Sequence, residues 1–568
     1  MEDRLSWFMS DDSGTVCYTA LTFAPVQSFI RTTRKLRDLY GSSLLLSHLA
    51  HAICADAAKF FQQSDAVISP AGVEISQGVP NTLVIRGHYP EAQARAALLK
   101  AWVQVLNTCR AWLERKIQVD NIDPMPEGWN GWDEGWGASW KAAANHSWEV
   151  FLGHGGTIHA AREALQLKKQ ARDWSVPNWT GESSTLSSAE AVVRPTMARV
   201  IPPWKVDAAM AAKEASAMLA QLRAELGEAF AGLNEEISLL ELVKRLITYQ
   251  PILQPSFELD QPLDDGMVKA LLRRFPPLST RQDDGQEEKP ESIIWFMADG
   301  DEIGSHLTRM AQREGEEEAL RNFSGSMRSW AASLYGAVPR CLEEGATNDK
   351  AKATVVYAGG DDLLGALHES DPGAGDLSTA DLWRWLLEFP SLWKEAKQPE
   401  LTISMGVVWA DATVPQREAL QHARDAEASA KSRGRDRFAL RLLYASGNHL
   451  EWSCPWCWLN PILHSYCDRH GRTLEAANDG KPPSWRHLAE DLVWLQERQA
   501  ITPEVADALW QAYFPACVLP DPQPSGSTVE GRYRASLKEP EQGRDFALWL
   551  LDLGRVMAGL EKRREAVA

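Results

Sequence analysis

Two aspartates, Asp361 and Asp362, follow two glycines, Gly359 and Gly360, in the middle of an apolar stretch from Thr354 to Gly365. Carboxylate oxygens are hard ligands suited to Mg2+ or Mn2+. Glycine leaves the main chain open, so a phosphate can approach it. Divalent ions held there would activate a hydroxyl and stabilise charge at a phosphorus under attack, which is the chemistry of nucleotidyl transfer. A plain turn accounts for the same four residues, because Gly and Asp are ordinary turn formers. The surroundings must decide.

The apolar flanks predict strand, tight turn and strand, which places the carboxylates at the tip of a hairpin on a buried sheet. Upstream, Ile293 to Ala298 is a β-type run that ends in Asp299-Gly300-Asp301-Glu302, with a helix-compatible segment from Ser305. A strand end of this kind can bring a distant carboxylate to the hairpin. Asp299 is the first choice for that ligand and Asp301 the second, although a solvated acidic turn reads the same way. Leu401 to Trp409 predicts another strand. After it comes a helix with Ala423, Ala426, Ala430 and Lys431, closed by Ser432-Arg433-Gly434-Arg435-Asp436. Lys431 could hold a triphosphate as a point charge and Arg435 could fork onto phosphate oxygens. The helix macrodipole alone would also favour cations at that end.

The order DGD-x-x-G, GGDD and A-K-x-x-G-R-D resembles the palm shared by GGDEF diguanylate cyclases and the large subunit of type III CRISPR effector complexes. The stretches Leu21 to Ile30 and Arg34 to Ser47 are similar to the first palm of that CRISPR subunit, closest to its Cmr (type III-B) branch. Gly78-Val79-Pro80-Asn81-Thr82 and Cys454-Pro455-Trp456 fit the same pattern. The resemblance implies target-RNA-activated synthesis of cyclic oligoadenylate from ATP. Asp299, Asp361 and Asp362 would be catalytic and hold two Mg2+ or Mn2+ ions. Gly300, Asp301, Gly359, Gly360, Lys431 and Arg435 would bind nucleotide. The implied partners are other Cmr-type subunits, CRISPR guide RNA and target RNA. Alternatives are a GGDEF-like cyclase using GTP, an enzyme joining AMP to another acceptor, and a scaffold whose palm only binds nucleotide.

The amino-terminal region reads as a degenerate copy of the second palm. Strand Thr19 to Phe23, a turn at Ala24-Pro25-Val26 and a helix from about Ser28 mirror the elements around Asp299, but no carboxylate stands in the turn. Gly78-Val79-Pro80-Asn81 takes the place of the acidic hairpin. Such a copy cannot hold two metals. The basic residues Arg31, Arg34, Lys35 and Arg37 either face a nucleotide or nucleic acid or form a solvated helix face.

At 568 residues the chain is too long for one core. The expected architecture is α+β and multidomain, with two ferredoxin-like palms and two helical domains. Palm 1 is expected over 1–175, a helical domain over 176–287, the catalytic palm over 288–445 and a helical carboxy-terminal domain over 446–568. No apolar run approaches a membrane span, and the acidic start is not a signal peptide, so a cytoplasmic protein without a membrane partner is expected. Eight cysteines without regular pairing fit a reducing compartment. A formal charge of -18 disfavours broad nucleic-acid binding by the chain alone. The 24 tryptophans include a cluster from Trp129 to Trp148, read as core or subunit interface.

Two departures from the resembled family stand out. Its zinc-binding Gly-Glu-x-Cys-x-x-Cys segment aligns with Gly181-Glu182-Ser183-Ser184-Thr185-Leu186-Ser187, and serine is not a zinc ligand of this kind. Cys454, Cys457, Cys467 and His470 have zinc-like types and spacing, but a Pro-Trp helix start accounts for that place without metal, and this reading is preferred. Many relatives also begin with a histidine-aspartate nuclease domain. This chain starts almost at the first palm, so cleavage of single-stranded DNA is not expected.

Overall fold

The structure is a computed structural model. It describes residues 16–257 and 292–567 except 32, 34–35, 73–74, 76–77, 79, 119–120, 123–131, 133, 172–181, 189, 198–206, 228–229, 233–234, 343–352, 369–376, 399, 476–480, 516 and 520–539. The chain forms two compact units, one of residues 1–288 and 307–328, the other of 289–306 and 329–568.

The first unit begins β1 (Tyr18–Ala24), α1 (Gln27–Arg31), α2 (Leu36–Phe61), β2 (Val67–Ser69) and β3 (Thr82–Arg86). It continues α3 (Glu91–Lys116), α4 (Glu134–His146), β4 (Glu149–Gly155) and α5 (Ile158–Gln170). The strands form one sheet in the order β2-β3-β1-β4, antiparallel throughout. Then come α6 (Ala208–Leu226), α7 (Leu239–Leu246) and α8 (Gln250–Ser256). Trp102, Trp136 and Trp140 are buried in this unit's core, and Trp148 packs on Phe23, Phe29 and Trp102. The described tryptophans of the cluster are therefore core; Trp129 lies outside the described residues. Arg245 of α7 reaches into the same core, where its guanidinium donates to Asp38 at 2.6 and 3.1 Å and to Glu235 at 2.6 Å.

One segment of this unit, Arg37–Phe61, is long and apolar enough to cross a membrane, contrary to the expectation that no run approaches that length. Two thirds of its apolar window (67%) is buried inside the fold, as in a core helix hydrophobic on most of its faces.

The second unit is built on β5 (Ile293–Gly300), β6 (Ala353–Ala358), β7 (Leu363–Leu367), β8 (Ile403–Ala410), β9 (Arg437–Leu443) and β10 (His449–Pro455), in the sheet order β10-β9-β8-β5-β7-β6. The helices α9 (Ile303–Glu314) and α10 (Glu316–Leu342) follow β5; residues 307–328 of these two helices group with the first unit. After these come α11 (Thr379–Lys394) and α12 (Gln416–Ser432), then α13 (Trp456–Ser465), α14 (Arg486–Glu497), α15 (Pro503–Tyr513) and α16 (Pro540–Val567). The region from 446, expected to be helical, first forms β10. Leu450, Trp452 and Cys454 alternate with Glu451 and Ser453, and that period of two pairs the segment with β9. Every other pairing in this sheet is antiparallel except β8 with β9, which is parallel because α12 crosses between them.

The two sheets share one connectivity. Within the second, β6-β7-β5-β8 repeats the order β2-β3-β1-β4, with the same antiparallel pairings and with helices inserted at the same points. The architecture is α+β with a duplicated ferredoxin-like core. Asn81 precedes β3 as Asp362 precedes β7. At that tip the Asn81 amide donates to the Thr22 hydroxyl at 3.1 Å. Neither group is anionic, so this tip lacks the charge that draws a divalent ion.

Candidate active site

The acidic residues gather where the second sheet's central strands end. β5 lies between β7 and β8, with Ala298 opposite Leu363 on one side and Asp299 opposite Ser404 on the other. The β6–β7 hairpin closes with the Gly359 N–H donating to the Asp362 carbonyl at 3.0 Å. Gly360 sits at φ 119°, a backbone region that L side chains avoid. A Cβ built on Gly300 would lie 3.1 Å from the Cβ of Asp361, so strand end and hairpin tip touch. Asp361 is half-buried and Asp362 is exposed at the rim. Burial first, and then the like charge of Asp362, push Asp361 up to about 6. Asp362 moves in the same direction, although its open surface keeps it in contact with water.

Lys431 arrives on α12, and small residues let it. Ala423, Ala426 and Ala430 form the buried face of that helix. Beneath it a Cβ on Gly406 of β8 would lie 2.1 Å from the Ala423 carbonyl oxygen and 2.4 Å from the Glu427 nitrogen. Strand and helix therefore meet backbone to backbone. The Lys431 ammonium contacts Asp299 Oδ2 and, at 2.7 Å, Glu427 Oε1. Burial and the charge of Arg435 bring Lys431 down to about 8. Burial and the negative charges of Asp362 and Asp301 raise Glu427 to about 7. Glu427 was passed over in the sequence. Its signal is local: a glutamate four residues before a lysine lies on the same helix face.

Asp301, expected among the nucleotide-binding residues, is 2% exposed. Its carboxylate accepts the hydroxyls of Thr402 at 2.8 Å and Ser404 at 2.7 Å and the backbone N–H of Asp436 at 3.0 Å. A buried carboxylate with these donors around it holds two turns together and presents no oxygen to a ligand. Arg435 pairs with Glu302 at 3.7 Å. Glu302, Arg435 and Asp436 all take positive φ without being glycine, so the turns flanking Asp301 carry local backbone strain.

Among the described residues, no three His, Cys, Asp or Glu side chains converge as a cation-holding set. The cation beside Asp299 is Lys431. The donor chemistry nonetheless fits a divalent ion: Asp361 and Asp362 are adjacent like charges whose repulsion such an ion would relieve. The cysteine–histidine group expected to offer a zinc alternative does not assemble. Cys454 is buried, with its thiol donating to the Pro455 carbonyl at 3.3 Å, and His470 packs on the ring of His487. In the serine-substituted segment, buried Ser184 donates to Glu241 at 2.6 Å. Of the basic residues near the first palm, Arg37 donates to Thr248 at 3.2 Å and stacks over Tyr249. The side chains of Arg31, Arg34 and Lys35 lie outside the described residues.

Residues 293–439 match the family model "Cas10/Cmr2, second palm domain" and residues 18–105 match "CRISPR-associated protein Cmr2, N-terminal". Two regions of the chain are thus similar to Cas10/Cmr2 domains. The second-palm match runs from the strand that ends in Asp299 through the helix that carries Lys431, so the whole candidate site lies inside it. Comparison with curated proteins gave no match. Among solved structures, the type III-B Cmr-beta complex in its apo state is similar, with 11% identity over 90% of this chain and 78% of that one at a TM-score of 0.48. The Csm1–Csm4 cassette in complex with one ATP aligns at 13% identity over 96% and 70%, with a TM-score of 0.46. The same cassette in complex with cA4 aligns at 13% over 95% and 69%, with a TM-score of 0.45. Likeness at this level says nothing of activity.

Proposed function

We propose that this chain belongs to the Cas10/Cmr2 family as the large subunit of a type III CRISPR effector and that its second palm joins ATP into a cyclic oligoadenylate when target RNA is bound. The observation that carries this reading is that the strand end holding Asp299, paired with Lys431, touches the hairpin tip holding Asp361, inside the region that matches the Cas10/Cmr2 second palm. Asp361 and Asp362, joined by Asp299, would hold Mg2+ or Mn2+. Such ions supply activation of a 3′-hydroxyl and neutralisation of charge at the α-phosphorus. Gly360, at φ 119° and with open space where a side chain would stand, leaves backbone free for phosphate to approach, whereas the space beside Gly300 and Gly359 is taken by Ile303 and Tyr357. Lys431 and Arg435 bind phosphate charge, Lys431 as a point charge and Arg435 through its fork. Asp301 keeps the Arg435 turn in register with the end of β5.

The formal charge of -18 supports a reading in which partner subunits make most of the contact with guide and target RNA. The test is to assemble the complex with its guide RNA, add target RNA, and identify by mass spectrometry the products from each labelled nucleoside triphosphate. A target-dependent product from ATP is expected. A product made from GTP without RNA would instead identify a GGDEF-like cyclase, and no product from any nucleotide would leave a nucleotide-binding scaffold.

A further inference from the structure

Asp299 carries a cation already. The Lys431 ammonium bridges Asp299 of β5 and Glu427 of α12, and Glu427 sits one helical turn before Lys431 on the same helix. The ammonium sits on Asp299 Oδ2 and offsets the carboxylate's charge, so a divalent ion gains Asp299 as a full ligand, through both oxygens and with its whole charge, when Lys431 lets go of it. Releasing a half-buried ammonium into a low-dielectric cleft without a partner is costly. Glu427 removes that cost, because its Oε1 is already 2.7 Å from the ammonium.

We propose that Lys431 is an internal placeholder cation on Asp299 and that Glu427 is the positioning residue that receives it when metal enters. The proposal rests on the reading of Asp299, Asp361 and Asp362 as a metal site and assigns to Glu427 the control of metal affinity. The neighbouring charges all bear on the exchange. Asp362 at the hairpin rim and Asp301 in the adjoining turn act on Glu427, and Arg435 acts on Lys431. Substitution of either bridging residue changes local charge as well as contact, so single variants do not separate a handover from long-range electrostatics. A double-mutant cycle does, because effects routed through one shared contact fail to add.

The experiment is Mn2+ binding to the full chain, followed by electron paramagnetic resonance without nucleotide, for wild type, E427Q, K431M, K431R, E427Q/K431M and D361N/D362N. Binding by E427Q should weaken roughly three- to tenfold, because Lys431 is then left to Asp299 alone. K431M should tighten binding by a similar factor, and K431R, which keeps the cation, should not. In the K431M background, E427Q should have no further effect. Additive effects of E427Q and K431M, or equal affinity in wild type and both single variants, would overturn the handover. If wild type bound Mn2+ no better than D361N/D362N, the metal site itself would fail, and the proposal with it.

Discussion

The carboxylate of Asp301 accepts the backbone N–H of Asp436 at 3.0 Å, joining the turn after β5 to the turn that follows Lys431. Two hydroxyls, of Thr402 and Ser404, donate to the same carboxylate. Asp301→Ala would leave all three donors without an acceptor in a buried place, a loss on the order of 2–4 kcal/mol. Chemical denaturation should show that loss, and synthesis should fall as the Arg435 turn loosens. Asp301→Asn keeps one acceptor oxygen and should lose less. Wild-type stability in Asp301→Ala would show that this bond network does not hold the turns.

Asp361→Ala together with Asp362→Ala removes two anionic oxygen donors from the hairpin tip. Product formation by the assembled complex should fall by orders of magnitude, and Asp299→Ala should do nearly the same. Lys431→Ala should chiefly raise the apparent KM for ATP, since a phosphate contact serves ground and transition states alike. Complex assembly should survive all of these, because tip residues add little to the core. Product formed at the wild-type rate by the double aspartate variant would remove the site.

The raised pKa of Asp361 has a signed consequence for stability. The folded protein binds this proton more tightly than the unfolded chain, so the stabilising, protonated form is fully present below the ordinary value of 3.8 and is lost as pH rises through about 6. Metal-free protein should therefore gain from Asp361→Asn at pH 7.5, by a few degrees in Tm, and gain almost nothing at pH 4. Melting curves at the two pH values check this. An equal gain at both would mean that the carboxyl is not perturbed. Because a metal must displace that proton, Mn2+ affinity of the metal-free protein should fall as pH drops through about 6.

Gly406→Ala places a methyl group within 2.1 Å of the Ala423 carbonyl oxygen and 2.4 Å of the Glu427 nitrogen. Strand and helix must separate, at about 1–3 kcal/mol. The separation carries Glu427 and Lys431 away from Asp299, so the stability loss should come with a rise in the KM for ATP. An unchanged KM would mean that α12 keeps its place without the close approach.

In the first unit, Arg245→Met leaves Asp38 and Glu235 buried without their shared guanidinium. Breaking a buried pair from one side costs about 3–5 kcal/mol, and the folded yield should drop accordingly. Replacing all three residues with apolar ones of similar volume should recover much of the loss. No recovery in the triple variant would show that the charges themselves are required.

Local pattern in the sequence determined the strand ending in Asp299, the GGDD hairpin, and the strand and alanine-faced helix that lead to Lys431. Each needs only a period of 2 or 3.6 and a turn signal within a few residues. The degenerate first palm was legible for the same reason, since a strand, a turn and a helix recur there without the carboxylates. The partners of those residues were decided by the tertiary structure. Lys431 and Asp299 are 132 positions apart and Asp301 and Asp436 are 135 apart. They meet because the sheet places β8 beside β5, and Gly406 lets α12 settle over β8. Pattern tells a carboxylate from a hydrophobe, but burial follows from which strand lies alongside. That is why Asp299 and Asp301, two residues apart on one strand end, differ so much: one holds a lysine at the cleft, and the other is enclosed by the hydroxyls of Thr402 and Ser404.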